Sequence, residues 1–137
     1  MRVLSNQEDH MFSPDFIVLN RLAIYLPNRN CFEEEIPDIG KWIDEAAFLL
    51  TTIAGGATII EARGMWMNRI SGKIINERTA IVYANVDYRQ ALKDRPLIDD
   101  FIARFGHETL QDSVSVEYGG KMYFISDYKE QSLKAIA

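Results

Sequence analysis

The chain predicts an α+β domain of ferredoxin-like, split βαβ order: an antiparallel sheet with two helices on one face and an extra C-terminal strand. Three observations carry this. Ile39, Trp42, Ile43, Ala46, Leu49, Leu50 and Ile53 recur at helical spacing, which makes one broad apolar stripe. Over residues 55–86, apolar and polar residues alternate on both sides of the turn Asn68-Arg69-Ile70-Ser71-Gly72, the pattern of one long β-hairpin. A second helical stripe, Leu97, Ile98, Phe101, Ile102 and Phe105, precedes two short β-favouring runs joined by Gly119-Gly120, a pair suited to a two-residue turn.

In chain order, residues 1–14 show no sustained period and are expected to form a flexible N-terminal arm, followed by a single domain over 15–126 and a tail over 127–137. His10, in the arm, lacks companions for a metal site. Residues 16–26 predict the first strand, ended by Pro27 and the turn-forming Asn28-Arg29-Asn30; Val18, Leu22, Ile24 and Leu26 fall on one side, Arg21, Ala23 and Tyr25 on the other. Pro37 and Asp38 suit the start of a helix running to about Thr52, and Gly55-Gly56 suits its end. In the hairpin, Ile59, Glu61, Arg63 and Met65 share one face until Gly64 interrupts the strand, and Thr58, Ile60 and Ala62 share the other. In the returning strand Ala80, Val82, Ala84 and Val86 form the smoother apolar row, while Glu77, Thr79, Ile81, Tyr83 and Asn85 form a mixed one. Residues 87–105 predict a second helix that breaks or restarts at Pro96 and ends at Gly106. Strands at about 109–118 and 121–126 close the domain.

With 137 residues, the chain is long enough to bury roughly two thirds of the surface an unfolded chain exposes. Its 47% hydrophobic and 26% charged residues are those of a globular protein. A net charge of -5 repels a phosphate backbone unless basic residues gather on one face, so nucleic acid is not an expected partner. The lone Cys31 cannot form an internal disulfide and fits a reducing compartment. No run approaches the roughly 18 apolar residues a membrane helix needs, and the first residues lack a signal-peptide core. Together these predict a cytoplasmic protein with no membrane association.

If both helices cover the smoother apolar rows, the opposite, open face of the sheet carries Arg21, Tyr25, Glu61, Arg63, Glu77, Thr79 and Tyr83. That set is too polar for a second core and too aromatic for an indifferent surface. Arg21, Tyr25, Arg63, Glu77 and Tyr83 are therefore the candidate ligand-binding residues. Arginine offers bidentate bonds to phosphate or carboxylate, and tyrosine a flat surface with a polar tip, which suits an anionic, ring-bearing ligand. A cross-strand ion pair between Arg63 and Glu77 is the plainer reading of those two. Tyrosines on an open sheet can also stack on nucleobases or close a homodimer. Trp66, beside Gly64, is expected to be packed. His107 follows the second helix and reads as a surface residue, and Cys31 precedes Glu33-Glu34-Glu35, acids that raise rather than lower a thiol pKa. No Walker sequence, G-x-G-x-x-G fingerprint or spaced cysteine and histidine set is present, so neither cofactor nor metal is expected, and no catalytic residue stands out.

One pattern resembles a family of small uncharacterised bacterial α+β proteins: a glycine at a helix end, a G-x-W strand, a turn glycine and a glutamate five residues beyond it. Gly56, Gly64, Trp66, Gly72 and Glu77 match, followed by Phe105-Gly106, with the likeness spanning residues 22–124. The resemblance implies a fold and no activity.

The function these readings favour is a non-catalytic, homo-oligomeric module that binds or sequesters a small nucleotide-like anionic ligand. An enzyme on a small metabolite, of dimeric α+β barrel type, is the first alternative, with His107, Glu77, Arg63 and Tyr83 as its groups. A protein-interaction adaptor using the N-terminal arm and a sheet edge is the second.

Overall fold

The computed structural model describes residues 19–128. The expected arm and all but the first two residues of the expected tail lie outside them. The elements run β1 (Asn20–Pro27), α1 (Ile39–Ala54), β2 (Thr58–Met67), β3 (Ile74–Val86), α2 (Tyr88–Lys93), α3 (Arg95–Glu108), β4 (Val114–Tyr118) and β5 (Lys121–Ile125). The strands form one five-stranded sheet in the order β2-β3-β1-β4-β5, every neighbouring pair antiparallel. The α+β class and the antiparallel sheet are thus present, with three helices among the described residues in place of the expected two. The break falls at Asp94, which ends α2 and starts α3 with Pro96 in the first turn, where a missing N–H costs nothing. No helix among the described residues is long and apolar enough to cross a membrane.

The core lies between the helices and one face of the sheet. Leu22, Ile24 and Leu26 of β1 stand opposite Ala84, Val82 and Ala80 of β3, and all six are buried under Trp42, Ala46, Leu50 and Ile53 of α1 and Ile98, Phe101, Ile102 and Phe105 of α3. Burying each large apolar side chain contributes about 1.5–3 kcal/mol, so this row dominates the stability of the sheet. Trp42 meets Phe101 and Phe105 edge to face, with centroids 5.9 and 5.4 Å away. Above them Arg104 donates to Glu45 on α1 and, at 2.9 Å, to Asp100 on its own helix. Gly55 ends α1 as expected: its φ of 89 is left-handed, and its N–H reaches the Thr51 carbonyl at 2.8 Å. Asp38 holds the N-cap position of that helix without making a side-chain cap bond.

Two expectations are corrected here. Gly106 lies inside α3 and does not end it; a Cβ there would meet the Tyr128 ring at 2.4 Å, so the glycine serves close packing and not a left-handed turn. Accordingly β4 begins at Val114 and not at Thr109, the intervening residues being turned back by Leu110 at φ 54. The second correction concerns the phase of β2. Glu61 pairs with Ala80 and Arg63 with Arg78, residues in the row of β3 that looks toward the helices, so Glu61 and Arg63 lie on the helix side and not on the open face. Residues 58, 60, 62, 64 and 66 share the open face instead. Sequence alternation alone left this undecided because both rows of β2 are mixed, Ile59 and Met65 on one, Ile60 and Trp66 on the other.

The hairpin also reaches past its neighbour. β1 pairs with β3 only from Asn20↔Val86 to Pro27↔Thr79, so residues 74–77 of β3 pair with β2 alone. Past Pro27 the Asn28 N–H still donates to the Arg78 carbonyl at 2.9 Å, and the chain then leaves the sheet.

Candidate functional site

On the open face, where β1 gives way to the β1–α1 loop, a cavity of about 410 Å³ opens toward solvent. Its floor is the sheet: Tyr25 from β1, Gly64 and Trp66 from β2, Glu77 and Thr79 from β3, and Ser115 from β4. Phe124 of β5, 69% exposed, stands at one side, and Arg29, Cys31, Gln111, Asp112 and Ser113 come from the two loops at the other. A cavity of this size with one apolar and one polar wall fits a small metabolite.

Glu77 is the ionisable group on the floor. Half buried, it has its carboxyl pushed above the usual range, chiefly by loss of solvent; the Trp66 indole N–H and, less strongly, the Arg29 guanidinium pull the other way. The register explains the approach of Trp66. Glu77 stands directly opposite Gly64, which has no side chain, and Trp66 is the next residue of β2 on the same face. Arg29 is held in the wall by donating from Nη1 to the Glu33 carbonyl at 2.9 Å. Ile75, the residue opposite Trp66 on the same face, is buried.

Of the residues expected at a ligand site, Tyr25 and Glu77 line this cavity. Arg21 and Tyr83 share the face but not the cavity: the Arg21 guanidinium lies 3.9 Å from the centre of the Tyr83 ring, a cation–π contact that occupies both. Arg63 is on the other face, in a concavity under α1 with Arg78, so it is neither the partner of Glu77 nor a neighbour of Tyr83. The case for an anionic ligand rested on Arg63 and falls with it. His107 is exposed in the last turn of α3 and away from the cavity. Trp66, expected to be packed, is 37% exposed with one side of the ring available. Phe124, Arg29, Ser113 of the α3–β4 segment and Ser115 of β4 were missed; only the G-x-W spacing followed by Glu77 carried a signal for this region.

The fold is similar to that of a phage SAM lyase in complex with S-methyl-5'-thioadenosine, with a TM-score of 0.60 and 14% identity over 84% of this chain and 96% of that one. A phage SAM lyase in the apo state gives a TM-score of 0.53 at 14% identity, over 78% and 88% of the two chains. No protein-family model and no curated protein matches. At this identity the likeness is one of fold. It overturns the expectation of a non-catalytic binding module, because the chains that share this architecture are enzymes and one holds a small nucleoside in its structure. Of the readings made from the sequence, the likeness favours the small-metabolite enzyme over the binding module.

Proposed function

We propose that the protein is a lyase acting on S-adenosylmethionine (SAM) or a closely related adenosyl sulfonium, with the cavity around Glu77 as its active site. The observation that carries this is a half-buried carboxylate between aromatic side chains, on the floor of a metabolite-sized cavity, in a fold shared with SAM lyases. A carboxylate that has lost part of its solvent is stabilised by a cation, and aromatic faces attract sulfonium and ammonium groups as they do other cations. Trp66, Tyr25 and Phe124 also offer flat surfaces for an adenine ring. Converting SAM to methylthioadenosine breaks the bond between sulfur and the amino-acid arm. No water enters a lyase reaction, so the arm's own carboxylate oxygen forms a bond to the carbon that sulfur leaves, closing a lactone, while the sulfur keeps the bonding pair and departs as a neutral thioether. Glu77 meets the positive charge of the bound substrate and releases the product once that charge is gone.

Three further elements belong to the same reading. The sheet order, with β3 between β1 and β2 and α1 crossing over, supports a split βαβ description of the fold. Copies of the chain associate through the open face, where Ile60, Met122 and Phe124 are exposed around the cavity mouth. A cytoplasmic setting, where SAM is made and used, agrees with the lone cysteine.

The test is to incubate purified protein with SAM and follow methylthioadenosine by liquid chromatography and mass spectrometry. Cleavage is expected, with a loss of at least about tenfold in rate for Glu77→Gln, on the scale of one charged contact to the reacting group. Absence of cleavage together with absence of binding to SAM and methylthioadenosine by calorimetry overturns the proposal.

A further inference from the structure

The G-x-W strand and the glutamate beyond the turn are thirteen residues apart in sequence, Gly64 to Glu77, and face each other in the sheet. This spacing has a mechanical meaning. In a β-ladder, the side chain directly opposite a residue normally occupies the space above it. Opposite Glu77 that side chain is absent, and a Cβ added at Gly64 would stand in ordinary contact with Glu77 Cγ at 4.0 Å and Thr79 Cγ2 at 3.8 Å, so glycine leaves the flank of the Glu77 side chain open. Trp66 is one step along the same row, diagonal to Glu77 and opposite buried Ile75, and it lines the cavity together with Glu77.

We infer that Trp66 is the positioning residue for Glu77: its indole N–H fixes the carboxylate facing the cavity and in its ionised form, ready for a cationic substrate. This role rests on the cavity being the active site, but its physical core, a Trp66 to Glu77 contact that follows the ionisation of Glu77, does not. The other titratable and charged groups facing the carboxylate are Tyr25 from β1, Arg29 and Cys31 from the β1–α1 loop, and Asp112 from the α3–β4 segment. Of these Arg29 acts in the same direction as Trp66. Both favour the charged form of Glu77 against the burial that disfavours it. A phenylalanine in place of Trp66 keeps the apolar ring and loses the donor.

The chain has two tryptophans, so nitrogen-15 NMR of the protein shows two indole N–H signals, and Trp66→Phe identifies which belongs to Trp66. The Trp66 signal is expected to shift with pH along a single titration in the acid range that disappears in Glu77→Gln. Trp42, held edge to face against Phe101 and Phe105 in the core, is expected to stay still and so reports that the fold is intact. A Trp66 signal that does not move while Trp42 holds its position overturns the inference, whatever the outcome with SAM. Where SAM is cleaved, Trp66→Phe is expected to move the acid limb of the pH–rate profile toward higher pH, because the carboxylate then gains a proton more readily. An equal loss of rate at every pH, with the limb unmoved, assigns Trp66 a merely structural role and also overturns it.

Discussion

A glycine inside a helix costs roughly 0.5–1 kcal/mol relative to alanine, and Gly106 is retained in α3 against that cost. The reason is Tyr128, which lays its ring on the bare backbone and donates its hydroxyl to the Gln111 carbonyl at 2.6 Å. Gly106→Ala is therefore expected to destabilise the protein by about 1–3 kcal/mol, the usual cost of overpacking, and urea denaturation measures it. The phenol itself is pushed up to about 12 from an ordinary 10, first by burial, then by the nearby Asp112, Cys31 and Asp127. The folded state thus holds this proton more tightly than the unfolded one. The resulting stability is complete below pH 10 and lost as pH rises from 10 toward 12. Thermal unfolding midpoints across that window should fall in the native chain and fall less in Tyr128→Phe. None of this was legible in the sequence, where Phe105-Gly106 has the form of a helix end. The partner that gives the glycine its meaning is 22 positions away (128 − 106).

Among the elements, those with one clearly apolar face were the easiest to read. The stripes of α1 and α3, except Leu97, which is 53% exposed, and the rows Leu22-Ile24-Leu26 and Ala80-Val82-Ala84-Val86 make up the core with its partly buried margin. β2 was not legible in the same way. It is an edge strand whose rows carry similar residues, and a shift of one position moves every side chain to the other face. The placement of Arg63 followed from that phase and was corrected with it. The register gives a direct check: Arg63 stands opposite Arg78, and like charges directly across a ladder are destabilising. Arg63→Thr is expected to raise the unfolding free energy by a few tenths up to about 1 kcal/mol. It should leave substrate turnover unchanged, because residue 63 faces away from the cavity. Had Arg63 been the partner of Glu77 the same substitution would destabilise the fold, so one denaturation curve separates the two arrangements.

At the scale of the whole fold, the described residues place helices on one side of the sheet and no covering layer on the other. Ile60 at 41% exposed, Met122 at 43% and Phe124 at 69% form the apolar patch on that face through which we propose that copies associate. Sedimentation at micromolar protein is expected to show a homo-oligomer, and Phe124→Asp to shift it toward the monomer; a native chain that stays monomeric at every concentration counts against the assembly. The α+β class was legible because it depends on periodicity, which is local. The site was legible in part: Tyr25 and Glu77 have the residue types and the strand phase that mark an open face. Phe124 and the α3–β4 segment were not, since their place at the cavity depends on how β4 and β5 close against β1, a long-range outcome that spacing does not encode.

The overhang of the β2–β3 hairpin has a consequence for motion. Among the described residues, 74–77 of β3 have a ladder on one side only, and both Glu77 and its opposite number Gly64 lie on this cantilever, while Tyr25 lies on the strand that anchors its base. The cavity therefore spans a joint between a stiff plate and a springier one. Backbone amides of Ile75 and Glu77 should exchange with deuterium sooner than those of Val82 and Ala84, which are held between two strands. A molecule seated against Tyr25 and Glu77 together clamps the two plates, so binding should slow exchange at the cantilever far more than in the core.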